Sequence, residues 1–473
     1  MNHHNINSLQ GIQLTSPLTL SQRLAKVGTS FARTFESLAY RDFRLLWFAS
    51  LATSLAIQIQ IYARGWLIFD LTDSAVALTW VMLSFWIPSS VFSFIGGALG
   101  DRIRKKTIMD GAQVASMLSA LTFGTLILIG DENVPFWYFI VFGFFNGTIL
   151  ALSMPTRTAV MPDLVAPRHL TNALSLSAST FNLSRVVGIA LGGLLLSMIF
   201  LPLFSPTTSV GLLFLCIATL YGCSIIGTLL IHYQGNPTRI HKKSLARDFW
   251  EGVVYLRNSR VVVGLLLMGL IPTMFGFSAQ FLLPAFNGRL FEGKSETLSG
   301  LLVALGVGAV LGSLTIARFG EVDQKGRLMY FLAFLWAFFL AILGLSTTYW
   351  VALVVLALVG ASSAGLSSLN MSVLQLIVSA KMRSRIMAIT WACFGLMPIG
   401  MIPLGFLAEK IGLQTAFLSC AGLMFVGIVC THFVAPEVAK IRRGHKDHAA
   451  TVQPSQPHES EDWTEPRATP ATK

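Results

Sequence analysis

The chain has 473 residues, of which 54% are hydrophobic and 12% charged, with a mean hydropathy of +0.67. Soluble domains carry about 25% charged residues, so this composition excludes an ordinary soluble enzyme, a disordered chain and a nucleic-acid binder. The formal charge of +12 would suit nucleic acid in a soluble protein, but its placement along the chain gives it another meaning.

A membrane span needs roughly 20 apolar residues. Runs of that length occur near 44–69, 76–99, 107–130, 134–154, 171–199, 209–232, 261–287, 297–318, 328–346, 349–378, 385–408 and 413–434. They predict an all-α membrane protein with twelve transmembrane helices in two pseudo-symmetric six-helix bundles. The expected segments are a cytoplasmic tail at 1–40, a first bundle at 41–232 and a basic cytoplasmic loop at 233–260. A second bundle at 261–435 and a disordered polar tail at 436–473 follow. A shift of 213 positions lays Val165-Ala166-Pro167-Arg168 on Val378-Ser379-Ala380-Lys381, Gly192 on Gly405 and Arg44 on Arg257, as a duplicated unit would.

The cations gather in alternate segments, at 23–44, 102–106, 157–168, 239–260, 318–327, 381–385 and 440–473. The other loops hold only Arg289, Lys294 and Lys410, and Arg64 and Arg185 lie inside spans. By the positive-inside rule both termini are expected in the cytoplasm of a bacterial-type cell, with the chain multi-pass in its inner membrane. The basic loops would also meet anionic headgroups of the lipid bilayer.

The sharpest motif is Gly96-Gly97-Ala98-Leu99-Gly100-Asp101-Arg102-Ile103-Arg104-Lys105-Lys106, at the inner end of span two. Small residues allow close packing. Asp101 is placed to cap a helix or meet an Arg in one conformation and lose that contact in another. A plain basic cluster after a glycine-rich helix end is the competing reading. This stretch resembles the signature loop between helices two and three of the major facilitator superfamily, with Gly97, Asp101, Arg102 and Lys105 at its switch positions. Pro155-Thr156-Arg157, Met161-Pro162-Asp163, Asn172-Ala173-Leu174 and Asn182-Leu183-Ser184-Arg185 are similar to the branch that includes enterobactin-type siderophore exporters and macrolide efflux pumps. The resemblance implies two bundles rocking about a central site and secondary active export, often driven by a coupling proton. Asp163 joins the switch set. Drug–proton antiporters of the superfamily carry G-P-x-x-G-G in span five; here Ile189 replaces the proline, and Gly188, Gly192 and Gly193 remain for helix packing.

Polar residues inside spans are expensive and default to function. Thr53, Gln60 and Arg64 share one face of span one, and Asn146, Ser153 and Arg157 one face of span four. Because spans one, four, seven and ten line the cavity in this superfamily, the resemblance makes Gln58, Gln60, Tyr62, Arg64, Asn146, Gln280 and Asn370 candidate lining residues. Arg185, about fourteen residues or ~21 Å into its span, joins them as a substrate contact. Competing roles are snorkelling for Arg64, carbonyl contacts for Arg185 and interhelical hydrogen bonds for the amides. No acid lies deep in any span; Asp110, about a turn into span three, is the best carboxylate for a coupling proton, with a contact to the basic loop as its alternative. Two interior cations without an internal acid suit an anionic small-molecule substrate such as a carboxylate or catecholate siderophore. No Walker motif, metal-ligand spacing or clustered catalytic acids occur, so no cofactor, metal or enzymatic activity is expected. A lysophospholipid flippase or an uptake carrier on the same fold is the alternative reading.

Overall fold

The structure is a computed structural model. It describes residues 36–130, 134–166, 169–233, 254–257, 259–291, 293–319, 323–379, 382, 386–387, 389–390 and 396–442. The two tails and most of the central loop lie outside the described residues, as do the side chains of Gly97, Asp101 and Arg102.

The first half consists of α1 (Arg41–Thr72), α2 (Ala75–Arg102), α3 (Lys105–Gly130), α4 (Phe136–Leu164), α5 (Leu170–Leu194, extended by a π-helical stretch Leu195–Phe200) and α6 (Pro206–Leu229). In the second half α7 runs Arg260–Pro272, passes through a π-helical stretch Thr273–Phe277, and continues as Ser278–Phe281 and Leu283–Leu290. Then come α8 (Ser295–Phe319), α9 (Lys325–Leu345), α10 (Tyr349–Ile377), α11 (Met397–Lys410) and α12 (Leu413–Val434). Eleven helices among the described residues are long and apolar enough to cross a membrane; α11, with 14 residues, fills the remaining position. The sequence puts the end of the fourth span near 154, whereas α4 continues to Leu164 and carries Arg157 inside the helix. Arg157 is therefore a helix residue, not a loop cation.

Local chemistry sets the ends. Pro206 opens α6 at its first position, where no amide donor is needed, and Ser205 accepts from the Thr208 amide at 3.3 Å. Ser259 caps α7 in the same way through the Val262 amide at 3.4 Å. Asp73 ends α1 at φ +44°, a left-handed conformation that Asp tolerates better than most residues, so α2 starts two residues later. Side chains such as Ile129 and Phe433 stay 77% and 78% exposed; in water that would invite aggregation, and in lipid it is the required outer surface.

The halves repeat one packing plan. α2 packs on α4 as α8 packs on α10; α3 on α6 as α9 on α12; α1 on α6 as α7 on α12. The tightest pairs depend on glycine. A Cβ at Gly147 would overlap the Phe85 carbonyl, and one at Gly360, 213 positions on, would overlap the Leu305 carbonyl. Across the halves, α5 meets α8, α2 meets α11, and α1 meets the last part of α7.

Candidate functional site

Two ends of the molecule differ. At the end marked by Asp73 the halves are clasped. Arg289 at the end of α7 reaches Glu409 at 3.2 Å, the Asp73 carboxylate at 3.5 Å and the Asp73 carbonyl at 2.8 Å. Glu409 also accepts the Ala75 amide at 2.9 Å, so a carboxylate of α11 caps the N-terminus of α2. About two and three turns deeper along α1, the Trp66 indole donates to the Gly293 carbonyl at 3.1 Å, and the Tyr62 hydroxyl meets Ser295 at 2.6–2.8 Å. Gly288 exists to admit Phe69, and Gly405 to admit Thr79. Between described residues the cross-half hydrogen bonds, ion pairs and ring contacts run from this end to mid-depth, where Trp86 meets Phe281 edge-on at 5.9 Å.

At the opposite end the polar contacts between described residues stay within a half. Lys105 meets Asp163 at 3.1 Å, joining α3 to α4. The Tyr233 hydroxyl donates to the same carboxylate at 2.5 Å, and the Tyr233 amide to Asp42 at 3.2 Å. Asp163 lies beyond the spanning window Phe136–Met154. The Tyr233 hydrogen bond, then Lys105, hold its carboxyl below the usual range, while burial and the carboxylate push Tyr233 up to about 12. Lys105 and Asp163, two residues of the switch set, thus tie helices of one half together in this conformation.

Below the clasp each half encloses a cavity. The first is lined by Thr53, Ile57 and Gln60 of α1, Gln113 and Ser116 of α3, Asn146, Ser153 and Arg157 of α4, and Tyr221 of α6. Arg157 donates to Thr53 Oγ1 at 3.1 Å, and Thr53 in turn meets Ser224 at 2.7 Å. Asn146 donates to Ser119 at 2.9 Å. Gln60 Oε1 and Gln113 Nε2 are buried without partners. The second cavity is lined by Leu266, Leu270 and Thr273 of α7, Trp336 of α9, and Leu366, Asn370, Met371 and Leu374 of α10. Asn370 Oδ1 and the Trp336 indole nitrogen are likewise without partners. The cavities are mirror images in sequence: Thr53, Ile57, Gln60, Ser153 and Arg157 lie 213 positions before Leu266, Leu270, Thr273, Leu366 and Asn370.

Arg64 lies one turn above Gln60 and is fully buried, its three guanidinium nitrogens without hydrogen-bond partners among the described residues. It sits between the rings of Phe85 and Phe142, at 5.7 and 5.9 Å. A Cβ at Gly143 would come 2.7 Å from its Nη1, so the glycine leaves room for the cation. Arg185 lies on α5 opposite the lipid-exposed Leu183, Val187 and Leu194, between the faces that Gly188 presents to α1 and Val186 to α8. Helical geometry aims it at the centre. Gly188 abuts Gln58, Gly192 abuts Ile59 and Tyr62, and Gly193 abuts Ser299 of α8. Gln280 Nε2 is buried without a partner in α7, just past the π-helical stretch.

Sequence reasoning missed the clasp because Asp73, Arg289 and Glu409 are far apart in the chain and read as ordinary border charges. It did place Arg157 on one face of span four with Asn146 and Ser153, and all three line the first cavity. The 213-residue register was the available signal for the second cavity, since it lays Arg157 on Asn370.

Among the described residues, twelve helices in two halves of like packing, clasped at one end around paired cavities, have the architecture of a major facilitator superfamily transporter. The chain belongs to the transmembrane secretion effector family, whose model matches residues 32–459. It is similar to macrolide efflux protein A of Streptococcus pyogenes, 27% identical over 402 residues, covering 83% of this chain and 94% of that one. It is also similar to the staphyloferrin A transporter of Staphylococcus aureus, 23% identical over 396 residues, covering 81% and 94%. Among solved structures, the nucleoside transporter NupG shares the fold with a TM-score of 0.60 at 14% identity, covering 83% of this chain and 98% of that one.

Proposed function

We propose that the protein exports a small amphipathic organic molecule, a siderophore or a hydrophobic drug, by alternating access driven by the proton gradient. The observation that carries this reading is the clasp of Arg289, Glu409 and Asp73 at one end, set against within-half contacts alone at the other among the described residues. If the basic segments face the cytoplasm, the unclasped end is the cytoplasmic one. Cargo would load there, and the clasp would have to open for release. The relatives support the cargo class, since one exports macrolides by name and another transports staphyloferrin A. On this reading Asp101, Arg102 and Gly97 form the cytoplasmic latch of the outward-open state.

The test is gene deletion, read as secreted iron chelator in low-iron medium and as drug susceptibility. Lost chelator secretion, restored by the wild type and not by Asp101→Ala, supports siderophore export. Greater drug susceptibility with normal secretion supports multidrug efflux. No change in either would overturn the export reading.

A further inference from the structure

The two cavities occupy matching positions in the 213-residue register, and their linings differ in one direction. Where the first half has Thr53, Gln60, Ser153 and Arg157, the second has Leu266, Thr273, Leu366 and Asn370. The described spans of the second half hold no cation at cavity depth, whereas the first half holds Arg157 at its cavity and Arg64 one turn above. Neither cation has a carboxylate partner among the described residues. Arg157 donates to a threonine hydroxyl, and all three Arg64 nitrogens are unpaired. The nearest acid along α1 is Asp70, six residues or about 9 Å further on. A buried charge without a carboxylate partner is costly by several kcal/mol, and inside a membrane span such a cation by default marks a binding or transport site.

From this asymmetry we propose that the cargo is an amphipathic organic anion held in two parts. Its acidic group is met by Arg157, with Arg64 behind it, and its apolar body by the mirror cavity around Leu270, Leu366 and Trp336. The clasp explains why both parts are reached together. On α1 the clasp begins at Tyr62 and the cavity ends at Gln60; on α7 the clasp contacts start at Pro284 and the cavity ends at Thr273. Both cavities therefore lie on the same side of the clasp, one on each half. The inference rests on the transporter reading but not on the direction of transport.

The test uses three fluorescent probes with one aromatic body: dansylglycine (anionic), dansylamide (neutral) and dansylcadaverine (cationic). Their affinities for the purified full-length protein in nanodiscs are read by energy transfer from tryptophan. Dansylglycine should bind at least about tenfold more tightly than dansylamide. Arg157→Gln, which keeps a donor for Thr53, should abolish that preference. Arg157→Lys should retain part of it, because the charge remains. Leu270→Gln should weaken all three probes alike. Equal affinities in the wild type, no binding of dansylglycine, a preference intact in R157Q, or affinities unaltered in L270Q would each overturn the proposal. Gel filtration confirms that each variant is folded. Because binding is read without transport, a cell that exports nothing would count against the export reading and leave this result standing.

Discussion

The first and second halves share a backbone plan and differ in chemistry. Both use a glycine, Gly147 or Gly360, to bring a helix onto a neighbouring carbonyl, and both enclose a cavity at matching register positions. The first half then carries buried cations and a chain of hydroxyls and amides. The second carries leucine, methionine and tryptophan, together with a π-helical stretch after Pro272. The packing positions are held in common because backbone approach in lipid depends on small residues whatever is transported. On the proposed reading, the lining is free to diverge because it would touch cargo.

The largest effect should come where the halves are alike. Gly147→Leu and Gly360→Leu should each remove most folded protein, since overpacking costs about 1–3 kcal/mol and more where backbone is struck. The yield of monodisperse protein after extraction checks this, and loss in only one half would break the equivalence. Next, Arg64→Met should raise the thermal stability of the cargo-free protein by about 1–4 kcal/mol, because it removes a buried, unpartnered charge at similar volume. Asn370→Leu in the second half should shift stability by less, since it removes a neutral carboxamide whose oxygen lacks a partner among the described residues, not a charge. Thermal unfolding of both variants measures the difference.

A smaller effect is expected at the clasp. Glu409→Gln weakens the contact with Arg289 and the cap on α2, at about 1 kcal/mol. Labelling of a cysteine placed at Gln58 from the Asp73 end should increase in that variant. The smallest effect concerns Asp163, whose side chain is 41% exposed. Its carboxyl is depressed in the folded protein, so its contribution is present above the unfolded value and is lost as pH falls through the folded one. Stability should therefore drop on acidification below the ordinary carboxylate range, and Asp163→Asn should flatten that part of the pH profile.

Much of this was legible in the chain. Twelve apolar runs gave the helices, because hydrocarbon accepts no other way of satisfying so much backbone. The repeat of 213 was visible at Gly192 and Gly405. Arg64 and Gln60 stood out as polar residues in an apolar run. Two things were not legible. The length of the fourth helix was one, because hydropathy marks the span, which ends near 154 as expected, while α4 continues to Leu164. The clasp was invisible, because Asp73, Arg289 and Glu409 belong to three separate connections.

By itself, then, the sequence determined that this is a helical membrane protein, since periodicity, length and hydropathy are properties of the local chain. Only the tertiary structure decided which charges meet. It brought Arg289 and Glu409 of the second half to Asp73 and the Ala75 amide of the first, and left Arg64 between Phe85 and Phe142 without a hydrogen-bond partner among the described residues. The physical reason is range. Burial in lipid is decided residue by residue along the chain, whereas the energy of a charge depends on neighbours that folding brings from elsewhere.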